Sequence, residues 1–143
     1  MRGFTLIEIL LVVVIVAVLI MVALPAYQQQ VIKTRRSIAK GELHSLLARQ
    51  EQFFLNHKSY AKSLTSLGSS ANPYAINDVG DEVATTSPER TYRISITSAS
   101  TIAFVLAAEP QLGQASDWLC AKLTIDSTGV KTAGGTGILS DCW

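Results

Sequence analysis

The feature that most constrains this chain is an unbroken apolar run close to its N-terminus. Residues Ile9 to Leu24 are 16 positions without one polar side chain. A helix from Phe4 to Leu24 would rise about 31 Å, at about 1.5 Å per residue, and the hydrocarbon core of a bilayer is about 30 Å thick. In lipid the backbone must satisfy its own hydrogen bonds, so a helix is expected despite the many β-branched residues. The run therefore predicts a single membrane-spanning helix.

A cleaved secretory signal is the competing interpretation, because such signals also carry an apolar core near the N-terminus. This run is longer than an ordinary signal core, and the residues after it continue as an amphipathic helix. We therefore expect a retained anchor. The composition agrees, since 143 residues allow one small domain plus an appendage. Only 16% of the residues are charged and the formal net charge is +1, which argues against a protein that strongly attracts nucleic acid.

Glu8 is the single acid in the apolar N-terminal segment. A carboxylate at the bilayer centre costs about 2.5–3.5 kcal/mol on insertion scales, and somewhat less near a helix end. Such a residue is expected to be functional and to have a partner. The alternative is that Glu8 lies at the headgroup level, where a helix N-terminus favours negative charge. Physical reasoning on the residue alone leaves both interpretations open.

Residues 3–8, which read GFTLIE and lead directly into the apolar run, resemble the class III signal of type IV pilins and pseudopilins. The resemblance implies that a prepilin peptidase cleaves between Gly3 and Phe4 and that Phe4 is N-methylated. It also implies that Glu8 neutralises the terminal amine of a neighbouring subunit during assembly. That amine would supply the partner that a carboxylate in a low-dielectric bundle requires.

The resemblance implies three segments along the chain. Residues 1–3 would be a leader peptide, 4–27 the transmembrane and filament-core half of the N-terminal helix, and 28–143 a periplasmic globular pilin head. Pro25 lacks an N–H and clashes with the preceding turn, so we expect it to kink or locally open the helix. The protein would lie in the bacterial inner membrane as a single-pass protein, with its head in the periplasm, and later in a cell-surface pilus.

Beyond the apolar run the sequence predicts an α+β head. Apolar residues recur every seven positions and are typical of a helix that covers a sheet, namely Ile32, Ala39, Leu46 and Phe53. Residues 56–89 are rich in Ser, Asn, Asp, Gly and Pro and predict a long connecting loop, with a short helical turn at 63–68.

Alternating apolar and polar residues then predict strands over 92–97, 101–108 and 119–125. Residues 126–129, which read DSTG, predict a hairpin turn into a further strand. The predicted fold class is α+β, with a long N-terminal helix packed on a three- to four-stranded antiparallel sheet and a C-terminal disulfide-bounded loop. This is the type IV pilin fold that the resemblance implies.

The two cysteines, Cys120 and Cys142, lie near the end of the chain. A lone pair in a chain with an export anchor predicts one disulfide, and two free thiols are the alternative. Loop entropy would give this bond about 3–3.5 kcal/mol of stabilisation. In pilins such a loop bounds the exposed D-region. Asp117, Cys120, residues 123–126 and the ending Cys142-Trp143 resemble PilE-type and ComP-related minor pilins.

Nothing in the sequence predicts an enzyme. His44 and His57 are too far apart to share one helix face as metal ligands, and neither has a ligand pattern beside it. The acids Asp78, Asp81 and Glu82 are more typical of a solvated turn than of a cation site. A nucleophile elbow, a P-loop and a dinucleotide fingerprint are all missing from the sequence. We therefore predict no catalytic residue, no metal and no cofactor.

Charge is unevenly distributed and bears on DNA binding. Residues 33–62 carry seven basic and two acidic side chains, a net of +5, whereas 63–143 carry four basic and eight acidic side chains, a net of −4. DNA affinity requires several phosphate contacts from basic side chains. The basic cluster adjoins the predicted membrane segment, so phospholipid headgroups or neighbouring subunits are its favoured partners. Nucleic acid is not the favoured ligand.

These features together predict a structural subunit of a type IV pilus, in particular a minor pilin. It would act in pilus assembly or priming, and in pilus-dependent twitching motility, adhesion or DNA uptake. The expected partners are other pilins, major and minor, through the N-terminal helix, together with the inner-membrane pilus assembly platform and the prepilin peptidase. Two alternatives stay open: a DNA-binding ComP-like minor pilin for natural transformation, and a type II secretion pseudopilin.

Overall fold

The computed structural model describes residues 5–143, and the chain divides into two units, Met1–Lys33 and Thr34–Trp143. The helices and strands, in chain order, are α1 (Leu6–His57), β1 (Tyr74–Ile76), β2 (Glu82–Val83), β3 (Tyr92–Ala99), β4 (Phe104–Pro110), β5 (Leu123–Asp126), β6 (Lys131–Ala133) and α2 (Leu139–Cys142). Two short 3-10 turns, Leu64–Leu67 and Leu112–Ser116, lie in the connections.

In the first unit the chain is helical from Leu6 onward. The helix assignment continues through Pro25 without a break, so the kink predicted at that residue stays a prediction. In the second unit α1 ends at His57, just after the last residue of the predicted stripe, Phe53. Lys58 stops the helix there, because its φ of 55° is left-handed and its N–H donates to the Phe54 carbonyl at 2.8 Å.

The predicted apolar stripe of α1 packs as expected in the second unit. Ala39, Leu43 and Leu46 are fully buried in the core. They share that core with one face of the sheet and with the disulfide-bonded loop, whose buried residues include Tyr74, Ile76, Tyr92, Ile94, Phe104, Leu106, Leu123, Ile125 and Cys142. Burying each large aliphatic side chain contributes about 1.5–3 kcal/mol. The core therefore lies between the helix stripe and the sheet.

The sheet is antiparallel throughout, in the strand order β2-β1-β3-β4-β5-β6. The predicted α+β fold class is confirmed, but the sheet has six strands rather than three or four. The two additional strands, β1 and β2, come from residues 56–89, which the sequence predicts as a loop. β1 is three residues long and β2 is two residues long, and all three residues of β1 are buried. The alternation of apolar and polar residues by which a strand is recognised in a sequence is therefore missing from them.

The later strands agree with the sequence apart from their ends. The strand predicted over 119–125 begins only at Leu123, because Ala121 has a φ of 47° and interrupts the extended backbone.

The predicted hairpin turn follows β5, and Gly129 supplies its left-handed φ of 80°. The carboxylate of Asp126 accepts hydrogen bonds from the Thr128 hydroxyl and N–H, at 2.7 and 2.8 Å, and from the Val130 N–H at 3.0 Å. These hydrogen bonds, that from the Thr128 side chain above all, lower the pKa of Asp126.

Candidate functional site

The first unit presents an apolar helix surface. Every described side chain from Leu6 to Gln30 is exposed, and the large apolar ones reach 77% exposure at Leu6 and 76% at Met21. Within the described residues, α1 is the one helix long and apolar enough to cross a membrane, with a mean hydropathy of 3.4 in its most apolar window. An exposed apolar surface that extends along a whole helix marks a site of membrane or protein contact.

Glu8 lies in the first turn of that helix and is exposed. Its backbone N–H donates to the Thr5 carbonyl at 3.1 Å and lies 3.4 Å from the Thr5 hydroxyl. Its carboxylate is in no ion pair among residues 5–143. The predicted cleavage and methylation positions, Gly3 and Phe4, lie outside the described residues. The roles assigned to these three residues therefore stay predictions.

The predicted disulfide between Cys120 and Cys142 is confirmed. Both cysteines are fully buried, and their Cα atoms are 5.4 Å apart. The bond joins the segment before β5 to the short helix α2. It encloses the turn that follows β5, the strand β6 and a glycine-rich tail.

The glycine-rich tail lies directly against the segment that precedes β5. The N–H of Gly135 donates to the Cys120 carbonyl at 3.1 Å, and the N–H of Gly137 donates to the Leu119 carbonyl at 2.7 Å. A Cβ atom on Gly135 would lie 2.2 Å from the Leu119 carbonyl oxygen. Real Cβ atoms do not approach that closely, so this tail position requires glycine.

A buried ion pair anchors the disulfide-bounded loop to α1. The Nε and Nη2 atoms of Arg36 donate to the two carboxylate oxygens of Asp117, at 2.8 and 2.7 Å. The Arg36 and Asp117 side chains are only 7% and 1% exposed. The third Arg36 nitrogen, Nη1, donates to the Asp141 carbonyl at 3.0 Å, next to the disulfide. The bidentate geometry satisfies both charges, which is the condition under which such a buried pair is tolerated.

The Arg36–Asp117 pair was not predicted from the sequence, although one signal for it exists. Arg36, Leu43 and Gln50 are spaced by seven residues, beside the apolar positions of the stripe, so the stripe contains two polar residues. Both are buried, Arg36 to 6% exposure and Gln50 completely. Gln50 is satisfied because its amide bonds the N–H and carbonyl of Ala61, at 2.8 and 2.9 Å. Long polar side chains on a core-facing stripe are thus a signal for buried partners.

A second polar contact lies beside this ion pair. The hydroxyl of Tyr92 accepts a hydrogen bond from Gln114 Nε2 at 3.0 Å, and Tyr92 is fully buried at the start of β3. Burial raises the pKa of Tyr92 to about 12, so the phenol stays protonated at physiological pH.

Two arginines of the basic cluster over residues 33–62 form ion pairs with acidic side chains. Arg36 is paired with Asp117, and Arg35 Nη2 lies 2.8 Å from Asp78 Oδ2. Both acids come from the downstream half of the chain, where the sequence carries its negative excess. Two of the seven basic residues are therefore not available as free phosphate-binding cations, which weakens the case for DNA binding through this cluster.

Exposed apolar side chains lie in the disulfide-bounded loop and directly before it. Trp118 and Ile138 are each 66% exposed, and Leu139 is 48% exposed. The backbone contacts between residues 134–137 and 118–122 hold these side chains on a defined backbone. The loop is thus suited to protein contacts rather than to chemistry.

The residues considered for catalysis or metal binding form no such site. His57 Nδ1 lies 3.0 Å from the Phe53 carbonyl within its own helix, and the ring of His44 meets the edge of Trp143 at 6.0 Å. Within residues 5–143, no group of three or more His, Cys, Asp or Glu side chains is arranged to hold a metal ion.

Comparison with known proteins gives a family. The model of the family described as "Type IV minor pilin ComP, DNA uptake sequence receptor" matches residues 25–124. The type IV major pilin protein PilE1 of Neisseria gonorrhoeae is 36% identical over 76 residues, which are 50% of this chain and 44% of the relative.

Two further relatives agree. The type IV major pilin protein PilE of Neisseria gonorrhoeae is 38% identical over 71 residues, which are 47% of this chain and 40% of that protein. A fimbrial protein of Neisseria meningitidis serogroup A is 37% identical over 71 residues, which are 47% of this chain and 39% of that protein. The chain thus covers less than half of the length of the curated relatives it matches.

Proposed function

Because this chain belongs to the type IV pilin family of the minor pilin ComP, we propose that it is a structural subunit of a type IV pilus, and a minor one. The observation that carries the proposal is an exposed apolar helix, Leu6 to Leu24, in a chain whose following residues match that family. A chain with such a surface must place it in lipid or against other protein helices.

In the proposed pathway the leader, residues 1–3, is removed between Gly3 and Phe4 by a prepilin peptidase, and Phe4 is N-methylated. Residues 4–27 would span the inner membrane first and pack in the filament core afterwards, while 28–143 form the periplasmic head. Transfer from lipid to a helical bundle loses little apolar burial, so helix packing and specific polar contacts would drive assembly. The assembly platform of the inner membrane would supply the site of that transfer.

Glu8 would provide the specific polar contact in that bundle. Paired with the terminal amine of a neighbouring subunit, its carboxylate would set the axial register between the two subunits. Either charge alone is costly in a low-dielectric environment, whereas the pair is favourable when the geometry is good. The exposed apolar side chains in and beside the disulfide-bounded loop, such as Ile138 and Trp118, would contact other pilins at the fibre surface.

The test is incorporation of a Glu8→Val variant into pili. Membrane insertion should be unchanged, because the substitution only makes the segment more apolar. Incorporation relative to membrane-bound subunit should fall by roughly tenfold or more, since losing about 1.4 kcal/mol of subunit contact corresponds to a tenfold change. The measurement is an immunoblot of sheared pili against the membrane fraction.

Two control variants sharpen this experiment. Gln29→Ala changes an exposed polar residue of the same helix and should leave incorporation unchanged. Glu8→Asp keeps the carboxylate and should recover part of the incorporation. Normal incorporation of Glu8→Val would reject the charge-pair role. A mature protein in pili that retains residues 1–3, as seen by mass spectrometry, would reject the processing step.

A second candidate function is recognition of DNA, which the description of the matched family favours. The full chain in detergent micelles would then bind duplex DNA with a sequence preference and with an affinity that falls steeply with salt. Fluorescence anisotropy of labelled duplexes at several salt concentrations measures both properties. Equal affinity for unrelated duplexes would leave only the structural role. A pseudopilin of type II secretion is less consistent with a match to a pilus family.

A further inference from the structure

The Arg36 side chain contacts both chain segments that the disulfide joins, which we call the first arm (117–120) and the second arm (141–142). Its Nε and Nη2 atoms donate to the carboxylate of Asp117, at the start of the first arm, at 2.8 and 2.7 Å. Its Nη1 atom donates to the backbone carbonyl of Asp141, in the second arm, at 3.0 Å. One guanidinium on α1 thus binds both arms at the same time.

The Asp117 carboxylate links Arg36 to the backbone of the first cysteine. Its Oδ1 atom accepts a hydrogen bond from Arg36 Nη2 and a longer one, of 3.4 Å, from the Cys120 N–H. The N–H of Ala121 closes the same turn by donating to the Asp117 carbonyl at 2.8 Å. The first arm is therefore a compact turn whose position depends on the guanidinium that its carboxylate binds.

The second arm belongs to an element that is not stable by itself. α2 has four residues, and isolated helices shorter than about 12–15 residues are marginal in water. Within the described chain, the backbone hydrogen bonds that hold the glycine-rich tail on the segment before β5 extend no further than Gly137. The second arm is therefore positioned by side-chain contacts, those of Arg36 and of Trp143, whose Nε1 donates to the Thr132 carbonyl at 2.9 Å.

Formation of the disulfide requires two steps of thiol–disulfide exchange. With glutathione disulfide as the oxidant, one cysteine thiolate attacks a glutathione sulfur, an S–S bond forms between them, and one glutathione thiolate leaves. The other cysteine thiolate then attacks the cysteine sulfur of this mixed disulfide and displaces the second glutathione thiolate. The two cysteines lose two electrons and two protons, which pass to the glutathione, so that one glutathione disulfide becomes two thiols.

The second of these steps is intramolecular, so its equilibrium depends on the effective concentration of one thiol at the other. Two cysteines 22 residues apart in a flexible segment would have an effective concentration on the order of mM. Segments that are already held in place reach much higher values, because their relative freedom is lost before the bond forms. Any group that holds both arms together therefore favours the disulfide.

From these contacts we propose that Arg36 is a positioning residue for the disulfide. In the reduced chain its guanidinium binds both arms and keeps the two thiols adjacent in the core, and it thereby shifts the thiol–disulfide equilibrium toward the bond. This role goes beyond anchoring the closed loop on α1, because it acts on a covalent equilibrium as well as on unfolding. The coupling is reciprocal, so the disulfide in turn strengthens the contacts of Arg36.

The experiment equilibrates the full chain in detergent micelles with buffers of reduced and oxidised glutathione. The chain has two cysteines, so a maleimide of high mass adds two, one or no labels to the reduced form, the mixed disulfide and the closed disulfide. The glutathione ratio at half closure gives the effective concentration of the thiol pair. Arg36→Met should lower it by about tenfold or more, and tenfold corresponds to about 1.4 kcal/mol.

Two further variants separate positioning from loss of stability. Gln50→Met removes another buried polar side chain of the same stripe, whose hydrogen bonds to the Ala61 backbone reach neither arm, so the effective concentration should stay within about twofold of the parent. Arg36→Met with Asp117→Leu leaves no buried charge and should recover stability. It still lacks the hydrogen bonds to both arms, so its effective concentration should remain about fivefold or more below the parent, a difference of about 1 kcal/mol.

The three variants give results that either support or overturn this role. A loss in both Arg36 variants, with Gln50→Met close to the parent, would support it. An unchanged effective concentration in Arg36→Met, an equal loss in Gln50→Met, or full recovery in the double variant would overturn it, because overall stability would then set the equilibrium. If Arg36→Met alone does not fold, the double variant and Gln50→Met provide the same comparison.

Discussion

Replacing Arg36 by methionine tests whether the buried ion pair holds the disulfide-bounded loop on α1. Methionine has a similar length and is a good helix former, so the change removes the charge without disturbing the helix. It deletes two hydrogen bonds to the Asp117 carboxylate and one to the Asp141 carbonyl. The carboxylate, only 1% exposed, would keep a single weak donor, the Cys120 N–H at 3.4 Å.

The expected cost follows from that uncompensated charge. Removing one partner of a buried ion pair destabilises a protein by about 3–5 kcal/mol, because the other charge stays buried. The lost bond to the Asp141 carbonyl adds about 1 kcal/mol. The double variant Arg36→Met with Asp117→Leu leaves no buried charge, so its stability should lie within about 1–2 kcal/mol of the parent.

Urea unfolding of the full chain in detergent micelles measures these free energies. Tryptophan fluorescence is a suitable signal, because the two tryptophans, Trp118 and Trp143, flank the disulfide-bounded loop on either side. A double-mutant cycle then isolates the coupling between the two charges. If Arg36→Met costs less than about 1 kcal/mol, or if the double variant costs as much as the sum of the single ones, the anchoring role is wrong.

Three further predictions concern the same loop. Gly135→Ala should destabilise the protein by about 1–3 kcal/mol through the clash with the Leu119 carbonyl, whereas Gly134→Ala, with its nearest contact at 3.6 Å, should change the urea midpoint far less. Reducing the disulfide should cost about 3 kcal/mol, measured as a lower urea midpoint with dithiothreitol, and an unchanged midpoint would contradict this. The pKa of Asp126 is lowered by its hydrogen bonds from Thr128, so its contribution to stability is present above its unfolded pKa and lost as pH falls through its lower folded pKa. Asp126→Asn should flatten the acid limb of the stability profile in that window, and an unaltered limb would exclude this role.

Long and regular patterns made most of the fold predictable from the sequence. The helix stripe repeats over three turns or more, and residues 92–97 alternate clearly, so α1 and β3 were both recognisable. The disulfide was predictable because two cysteines in a chain with a predicted export anchor have a single way to pair. Strand β1 was not predictable, because its three residues are buried on both faces and cannot show an alternation.

The candidate sites were harder to predict because their partners are distant in sequence. Arg36 and Asp117 are separated by 81 residues, and nothing local to either residue identifies the other. By contrast, Glu8 could be singled out as a candidate from the sequence alone, because an acid next to an apolar run is unfavourable in lipid, and its role stays a prediction.

The two buried polar residues of the helix stripe also explain how the sheet selects one position on α1. An apolar stripe that repeats every seven residues offers a sheet several similar positions, each displaced along the helix axis by about 10.5 Å, at about 1.5 Å per residue. Arg36 and Gln50 lie seven residues to either side of Leu43, and they bind Asp117 and the Ala61 backbone, respectively. Any displaced position would leave both of them buried without partners, at about 1–3 kcal/mol or more for each. Apolar burial thus favours packing in general, and the polar contacts restrict it to the single arrangement in which both are satisfied.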